Sequence, residues 1–360
     1  MFDFEYGDEL DLIAETARSF ATEELSPKVR DHESARAVEP DVSKAYQEIG
    51  LAGLELPESL GGANLGALAR MLVNEELAAG DAGAAVALDP LGPALYPLLE
   101  LGGEGALEEF AAPLLEQAQA RAVLVCECDA FLEIGDRVTG TVPWVPAEHV
   151  DLVVVLRADG ALALREGIHL EPLRGSGLRA AGAAELRLDA APIAGQWQDA
   201  VGAGRAWARA RLYAASLLLG VMRQASEFSR EYALERQAFG RPIAHHQGLA
   251  FLITDMRAAV DTARLLAHEA AWRVDSRVPC GAEAAVAYAE AIEAASFVGP
   301  NGVQILGGHG FMQDYPVEKY MREARALGLA LGGLDAAREE AGRALCESPA
   351  SVEFSWVGAS

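Results

Sequence analysis

The sequence predicts an α+β protein of 360 residues built from three consecutive parts. Three patterns lead to this prediction. Residues 1–120 are rich in alanine, leucine and glutamate at helical spacing, residues 121–200 contain short β-branched runs, and residues 201–347 return to helical spacing over longer segments. The last residues, 348–360, have no helical period, and we expect an extended or disordered tail there.

The N-terminal part is predicted to be all-helical. Leu12, Ile13, Ala17 and Phe20 recur at positions that lie on one face of a first amphipathic helix. A loop containing a proline and two glycines, residues 56–62, is expected before the next helix.

The middle part is predicted to be a small antiparallel β-domain. Residues 122–126 and 151–156 are short β-branched runs, and 158–160 has the composition of a hairpin turn. Residues 185–189 alternate strictly between apolar and polar side chains, which is typical of a half-buried strand.

The C-terminal part is predicted to form an antiparallel helical bundle. Apolar residues recur at alternating steps of three and four, which gives the narrow seam such a bundle requires. These residues are Ile253, Met256, Val260, Ala263, Ala267 and Ala270.

Composition disfavours several classes of function. The formal net charge of −25 repels nucleic acid and anionic membrane surfaces, so neither partner is expected. The chain has no run of about 18 uncharged apolar residues and its N-terminus is acidic, which predicts neither a membrane span nor a signal peptide. We therefore expect a cytoplasmic protein.

Cysteine and histidine spacing does not predict a metal site or a disulfide framework. The four cysteines match no zinc pattern and are expected to be reduced. The seven histidines include no pair four residues apart, so no metal ligands are predicted.

The most informative motif lies between Tyr232 and Ile243. A helix ending at Gly240 would place Arg236 near its last turn, where a guanidinium can bind a pyrophosphate while Phe239 packs against a flat ring. Taken alone, an arginine at this position more often complements the helix dipole.

A second motif runs from Gln304 to Gly310. Its glycines, including Gly307 and Gly308, could simply end a helix. No glycine-rich fingerprint follows a strand and no phosphate-loop lysine motif occurs, which disfavours a Rossmann or P-loop nucleotide enzyme.

Together the two motifs resemble the acyl-CoA dehydrogenase family. Arg-Gln-x-Phe-Gly-x-Pro-Ile from Arg236 and Gln-x-Leu-Gly-Gly-x-Gly from Gln304 are similar to the family elements that hold the adenosine and pyrophosphate end of FAD. The resemblance covers nearly the whole chain and implies the family's fold, with an N-terminal helical domain, a small antiparallel β-domain and a C-terminal four-helix bundle. It implies FAD contacts at Arg236, Phe239, Gln247, Gln304, Gly307 and Gly308.

The catalytic glutamate of the family is absent. Leu331 occupies the position where the family's Glu-Gly-Thr triplet begins, and Ala210 occupies the position used by some other members. Proton removal beside a thioester needs a carboxylate base, which contributes on the order of 10²–10⁴-fold to the rate. No catalytic residue is predicted in this chain. Asp335 is an alternative that would need a remodelled loop, and an aspartate near a helix start is more often a cap.

The loop that binds the flavin ring also departs from the family pattern. Residues 126–136 lack the family's Gly-Ser pair and are shortened. Trp144 is retained, but prolines on both sides of it argue against a regular interior strand. Trp144 is interpreted equally well as a core residue or as a flavin contact.

These departures imply a divided active site. In the family each flavin lies at a dimer interface, with its ring in one subunit and its adenosine end held by the neighbour. This chain keeps the elements that serve a neighbour. It resembles the non-catalytic subunit of heteromeric α2β2 acyl-CoA dehydrogenases such as those of bacterial steroid side-chain degradation.

The resemblance therefore implies a homologous catalytic subunit as the partner, FAD shared with that partner, and acyl-CoA bound in the partner. An alternative is a flavin-free homologue that acts as an acyl-CoA binding or scaffold protein. A third is an active homotetramer that uses Asp335.

Overall fold

The first part of the chain is helical, as its spacing predicts. The computed structural model describes residues 6–117 and 119–347, so the predicted tail, 348–360, lies outside the described residues. The helices before the first strand are α1 (Asp8–Phe20), α2 (Val29–Ala35), α3 (Pro40–Glu48), α4 (Ala67–Leu88), α5 (Leu95–Pro97), α6 (Gly103–Ala106) and α7 (Ala112–Leu115).

The predicted apolar face of α1 is correct except at Leu12. Ala17 and Phe20 are buried, whereas the Leu12 side chain is 64% exposed. Ile13, Ala17 and Phe20 are spaced by four and three residues and share one stripe, while Leu12 is one residue, or about 100°, away from Ile13.

Helix α4 is broken within its span by Asp81, which has φ −161° and ψ 105°. Its Oδ1 atom accepts hydrogen bonds from the Lys319 ammonium at 2.8 Å and from the Ala84 N–H at 3.2 Å. Lys319 also pairs with Glu323, and His32 lies 3.3 Å from the other Asp81 oxygen. All four ionisable side chains are buried, so this cluster joins the two helical regions inside the protein.

The middle part forms one seven-stranded sheet in the order β1-β4-β5-β7-β3-β2, with β6 also paired to β7. The sheet is antiparallel, as predicted, at every pair described except one, because β1 and β4 are parallel. The long connection between them contains the β2–β3 hairpin and returns the chain in the same direction. The strands are β1 (Ala122–Cys126), β2 (Phe131–Ile134), β3 (Arg137–Val145), β4 (Leu152–Leu156), β5 (Gly160–Leu164), β6 (Ile168–Pro172) and β7 (Ala184–Gln198).

Strand β3 runs through Trp144, but its ladder is irregular there, as the prolines on both sides predict. It pairs with β2 on one side and β7 on the other. The pairing with β7 shifts register between Val142 and Val145, so Pro143 leaves the regular ladder and its missing N–H is tolerated.

The sheet has a core of its own and a second face against the helices. Val153 and Val155 of β4 pack with Val123 and Val125 of β1 inside the sheet domain. The alternate residues of β4, including Val154, belong to the large helical core. Successive side chains of β4 point to opposite faces of the sheet, and both faces are buried, so this strand contributes to both cores.

The third part is a helical bundle, as predicted. The seam along α9 is buried from Met256 to Ala270, and α11 and α12 both pack on α10. A helix predicted to end at Gly240 ends earlier, at Glu235, because a short hairpin follows it. The elements are α8 (Ala200–Glu235), β8 (Gln237–Ala238), β9 (Arg241–Pro242), α9 (Gln247–Asp275), α10 (Gly281–Leu306), α11 (Val317–Leu327) and α12 (Gly333–Glu347).

Helix α8 packs closely on α4 and thereby joins the first and third parts. A Cβ atom on Gly220 would lie 2.2 Å from the carbonyl oxygen of Glu75, so only glycine permits this approach. Among the described residues no single helix is long and apolar enough to cross a membrane. The segments Ala67–Leu88 and Gly92–Leu115 meet the combined requirement of length and apolar composition only as a pair, and they are bent by 57° relative to each other.

Candidate functional site

A cavity of about 480 Å³ lies between the β-domain and the C-terminal helices. Its wall includes Val123 and Val125 of β1, Trp144 of β3, Ala210 of α8, and Leu331 in the loop between α11 and α12. The fold thus brings both positions implied for a catalytic glutamate to one cavity. Neither alanine nor leucine can accept a proton there.

The loop that carries Leu331 has an unusual backbone. Leu331, Gly332 and Gly333 have φ values of 56°, 75° and 62°, a region that costs a leucine energy but suits glycine. The Leu331 side chain is 6% exposed, so its burial in the cavity wall offsets part of this cost. The backbone directs residue 331 towards the cavity although its side chain is apolar.

Asp129, just beyond β1, anchors this loop. The N–H of Gly332 donates to its two carboxylate oxygens at 2.9 and 3.0 Å. Burial raises the pKa of Asp129, against the effect of hydrogen bonds from the backbone of Gly332 and Leu331. Among the described residues that line the cavity, Asp129 is the only carboxylate.

Asp129 was not predicted from the sequence. Its one signal was an acidic residue three positions after a buried strand, in the segment interpreted as a shortened ring-binding loop. Asp335, which the sequence offered as an alternative base, is exposed and does not line the cavity.

Three arginines line the cavity. Arg322 is paired with Glu33 and Glu318. Arg325 is exposed and has no acidic partner within 4.0 Å among the described residues. Arg121 is buried, and its guanidinium donates to the backbone carbonyls of Val86, Asp89 and Pro146.

Trp144 has features of both interpretations that the sequence left open, a core residue and a flavin contact. Its half-buried side chain packs against the helical core and also lines the cavity. Gly175 and Ser176 of the loop after β6 line the same cavity. A ligand in the cavity would therefore contact Trp144, while the opposite part of the indole stays in the protein core.

Two cysteines lie at the end of β1 beside the same loop. Cys126 is buried, Cys128 is exposed, and both are free thiols. A hydrogen bond from the Cys126 thiol lowers the pKa of Cys128, whereas burial raises the pKa of Cys126.

The predicted cofactor residues form a second, separate region at the far end of the bundle. Arg236 and Gln247 flank the short β8–β9 hairpin, and Phe239 lies at its tip with a φ of 53°. The Phe239 side chain is 95% exposed. Arg236 has no carboxylate within 4.0 Å among the described residues and is available to an external anion.

The glycine motif ends helix α10 at this same end of the bundle. Gln304, Gly307 and Gly308 are all exposed, and a Cβ atom on either glycine would meet nothing within 4 Å. Tyr232 near the end of α8 lies 2.8 Å from His309, with its hydroxyl next to Nδ1. This contact brings the two predicted motifs together, although the sequence analysis did not single out either residue for that role.

The cavity and the bundle end are far apart on one chain. Ala210 and the C-terminus of α8 are separated by 25 residues of continuous helix, which corresponds to about 37 Å. One chain therefore presents two separate regions, an internal cavity and an exposed polar surface.

Comparison with protein families identifies two matching family models. Residues 7–117 match "Acyl-CoA dehydrogenase, N-terminal domain" and residues 203–346 match "Acyl-CoA dehydrogenase, C-terminal domain". Most of the β-domain lies between the two matched ranges.

Curated relatives match over most of their length. The mitochondrial short-chain specific acyl-CoA dehydrogenase of Bos taurus is 29% identical over 350 residues, covering 87% of this chain and 84% of the relative. Benzylmalonyl-CoA dehydrogenase of Aromatoleum aromaticum is 27% identical over 356 residues, covering 90% of this chain and 94% of the relative.

Solved structures share the fold over nearly all of the chain. Butyryl-CoA dehydrogenase from Megasphaera elsdenii aligns with a TM-score of 0.83 at 23% identity, covering 96% of this chain and 100% of that chain. A glutaryl-CoA dehydrogenase in complex with glutaryl-CoA aligns with a TM-score of 0.81 at 24% identity, covering 96% and 97%. At these identities the structural likeness concerns the fold.

Proposed function

This chain belongs to the acyl-CoA dehydrogenase family, and on that premise we propose that it is the non-catalytic subunit of a heteromeric, flavin-dependent acyl-CoA dehydrogenase. In this proposal a homologous partner subunit supplies the catalytic base and the pocket for the flavin ring. This chain supplies contacts to the adenosine and pyrophosphate end of the partner's FAD.

The observation that carries the proposal is the contrast between the two regions. The cavity contains Leu331 and Ala210 at both positions where family members carry the base. The bundle end exposes Arg236, Phe239 and the glycine motif. Because about 37 Å of helix separates them, the bundle end of one chain and its own cavity serve different flavins.

The residues at the bundle end fit the adenosine end of a dinucleotide. Arg236 offers a planar guanidinium with no protein carboxylate competing for it among the described residues, which suits a pyrophosphate. Phe239 offers an exposed ring for stacking, and the open surface over Gly307 and Gly308 allows a phosphate or sugar to approach the backbone. When bound, FAD supplies the hydride acceptor for oxidation of the acyl thioester.

The test is to express the chain together with its homologous partner and compare Arg236→Ala with the unmodified complex. We expect the variant complex to lose most of its FAD after gel filtration and to lose dehydrogenation in proportion. Unchanged flavin content and unchanged turnover would show that Arg236 does not hold the cofactor.

Arg230→Ala is the matched control. Arg230 is an exposed arginine in the last turns of α8, six residues before Arg236, and its ion-pair contact is Glu231 at 3.7 Å. Its removal changes the charge of the bundle end by the same amount without altering the predicted pyrophosphate contact, so FAD content is expected to stay unchanged.

A second candidate is a flavin-free homologue that binds acyl-CoA or acts as a scaffold. The observation in its favour is that the cavity persists in this chain although the base is absent. Purification with and without the partner separates the two: a flavin-free homo-oligomer that ignores the partner supports the scaffold, and a flavin-containing hetero-oligomer supports the subunit.

A further inference from the structure

The side chain of Arg121 stands out among the residues that line the cavity. It is 9% exposed, and no carboxylate lies within 4.0 Å of its guanidinium among the described residues. A buried charge without an ionic partner is costly, even when carbonyl groups accept some of its hydrogen bonds. The cavity thus contains a cation that lacks its counter-ion.

The hydrogen bonds of Arg121 leave one side of the guanidinium free. Of its five N–H donors, two on Nη1 point to the carbonyls of Val86 and Asp89, and one on Nη2 points to the carbonyl of Pro146 at 3.4 Å. Among the described residues Nε makes no hydrogen bond and Nη2 makes only this long one. The Nε and Nη2 edge of a guanidinium is the fork that matches the two oxygens of one carboxylate.

Two acidic side chains of this region are already engaged elsewhere. Asp89 accepts from the N–H groups of Leu91 and Gly92 and from the Tyr213 hydroxyl at 3.0 Å, and lies 3.8 Å from Arg70. Asp129, the carboxylate of the cavity wall, is tied to Gly332. Neither residue pairs with Arg121.

The rest of the wall restricts what kind of anion fits. Val86, Val123, Val142 and Leu217 contribute apolar surface, and the volume of about 480 Å³ lies within the usual range for small-molecule sites. A strongly hydrated inorganic ion would gain nothing from these contacts. An aliphatic chain with a carboxylate at its end satisfies both the apolar wall and the buried guanidinium.

We propose that the cavity of this chain binds an aliphatic carboxylate whose carboxyl group forms a bidentate pair with Arg121. The carboxylate belongs either to a free acid or to the distal end of an acyl thioester. This inference does not rest on the shared flavin site, because it concerns equilibrium binding in this chain's own cavity.

The experiment uses the unmodified full chain and pairs of probes that differ only in the charged group. Calorimetric titration compares glutaryl-CoA with valeryl-CoA, which have the same number of acyl carbons, and valerate with valeramide. We expect the carboxylate member of at least one pair to bind on the order of 10- to 100-fold more tightly. Tighter binding of glutaryl-CoA than of valeryl-CoA identifies an acyl thioester as the source of the carboxylate. Tighter binding of valerate than of valeramide identifies a free acid.

Equal binding within both pairs, or no binding of any probe, overturns the proposal. An Arg121→Lys variant keeps the charge but removes the planar fork, and Arg121→Met removes both. We expect discrimination to fall in Arg121→Lys and to vanish in Arg121→Met, while Arg230→Gln, near the distant end of the bundle, keeps it. If the Arg121 variants fail to fold, the probe pairs on the unmodified chain still decide the matter.

Discussion

The backbone N–H of Gly332 donates to both carboxylate oxygens of Asp129, at 2.9 and 3.0 Å, and so ties the loop of Leu331 to the end of β1. This contact joins the β-domain to the C-terminal helices at the cavity wall. It holds the backbone of residue 331 in the left-handed region, where a leucine would not otherwise remain.

Replacing Asp129 tests this anchor. Asp129→Ala leaves the Gly332 N–H without its acceptor, and we expect the free energy of unfolding to fall by about 1–3 kcal/mol in urea titrations. Asp129→Asn keeps an acceptor oxygen and is expected to lose less. Asp335→Asn, at an exposed position in the first turn of α12, serves as the control and should leave stability unchanged.

The raised pKa of Asp129 also predicts how the free energy of unfolding depends on pH. Because the folded state holds the proton more tightly than the unfolded chain, stability falls as pH rises from the usual aspartate pKa through the raised value. The Asn variant lacks the titrating group, so its unfolding free energy should show a smaller decrease over that interval. An identical pH dependence in both proteins would contradict the assignment.

The buried cluster around Lys319 predicts opposite pH effects for its two carboxylates. Burial opposes ionisation of Asp81, but the Lys319 ammonium and hydrogen bonds hold its pKa below the usual value. Burial raises the pKa of Glu323 to about 7. Asp81 therefore stabilises the fold above its unfolded pKa and loses that contribution as pH falls through its folded pKa. Glu323 destabilises the fold as pH rises from about 4.5 towards 7.

Asp81→Asn and Glu323→Gln form a matched pair for this cluster. Asp81→Asn leaves the buried Lys319 ammonium without one of its two carboxylate partners and is expected to cost about 3–5 kcal/mol near neutral pH. Glu323→Gln is expected to cost less and to flatten the decline in stability between pH 4.5 and 7. Chemical unfolding of both variants across this pH range is the measurement. Equal losses of unfolding free energy at neutral pH would contradict the prediction that Asp81 contributes more than Glu323.

The Tyr232–His309 contact predicts a positioning effect on cofactor affinity, if the proposed function is correct. Tyr232→Phe removes the hydroxyl that lies 2.8 Å from His309 and so loosens the turn that begins at Gly307. A lost hydrogen bond of about 1 kcal/mol corresponds to roughly fivefold weaker FAD binding by the complex. Fluorescence titration of the apo-complex with FAD measures it.

Tyr288→Phe is the control for this prediction. The buried Tyr288 hydroxyl donates to the backbone carbonyls of Leu327 and Ala330, away from the bundle end. This variant should lower the melting temperature but leave FAD affinity unchanged. Loss of FAD affinity in Tyr288→Phe but not in Tyr232→Phe would contradict the positioning role.

The two thiols at the end of β1 should differ in reactivity. Cys128 is exposed and its pKa is lowered by the hydrogen bond from Cys126, so we expect iodoacetamide to modify it well before the buried Cys126 and Cys280. Peptide mass spectrometry over a time course resolves the order. Cys126→Ala removes the donor and should slow modification of Cys128, whereas Cys280→Ala should not.

Much of the fold follows from local sequence patterns, which correctly predict several helices and strands. The seam of α9, the hairpin at 158–160 and the strand at 122–126 all obey their own spacing. The parallel pairing of β1 with β4 was not predicted, because it depends on where the β2–β3 hairpin lies rather than on the residues that pair. The early end of α8 depends likewise on the hairpin between Gln237 and Pro242.

Some residues of the candidate site could likewise be predicted from the sequence, and others could not. Leu331 and Ala210 were identifiable because each occupies a position in a familiar motif, and both line one cavity. Arg121 and Asp129 were not identifiable, since their significance comes from partners far along the chain, such as Val86 and Gly332. The assignment of FAD contacts to the six predicted residues stays a prediction.

The burial of α4 has a consequence for biosynthesis. This apolar helix packs on α8, which is not complete until residue 235 has been added. At roughly 5–20 residues per second, the nascent chain exposes α4 for about 7–30 s. During that interval the apolar surface that α8 later covers stays open to contacts with other chains, and slower elongation before residue 235 would lengthen its exposure.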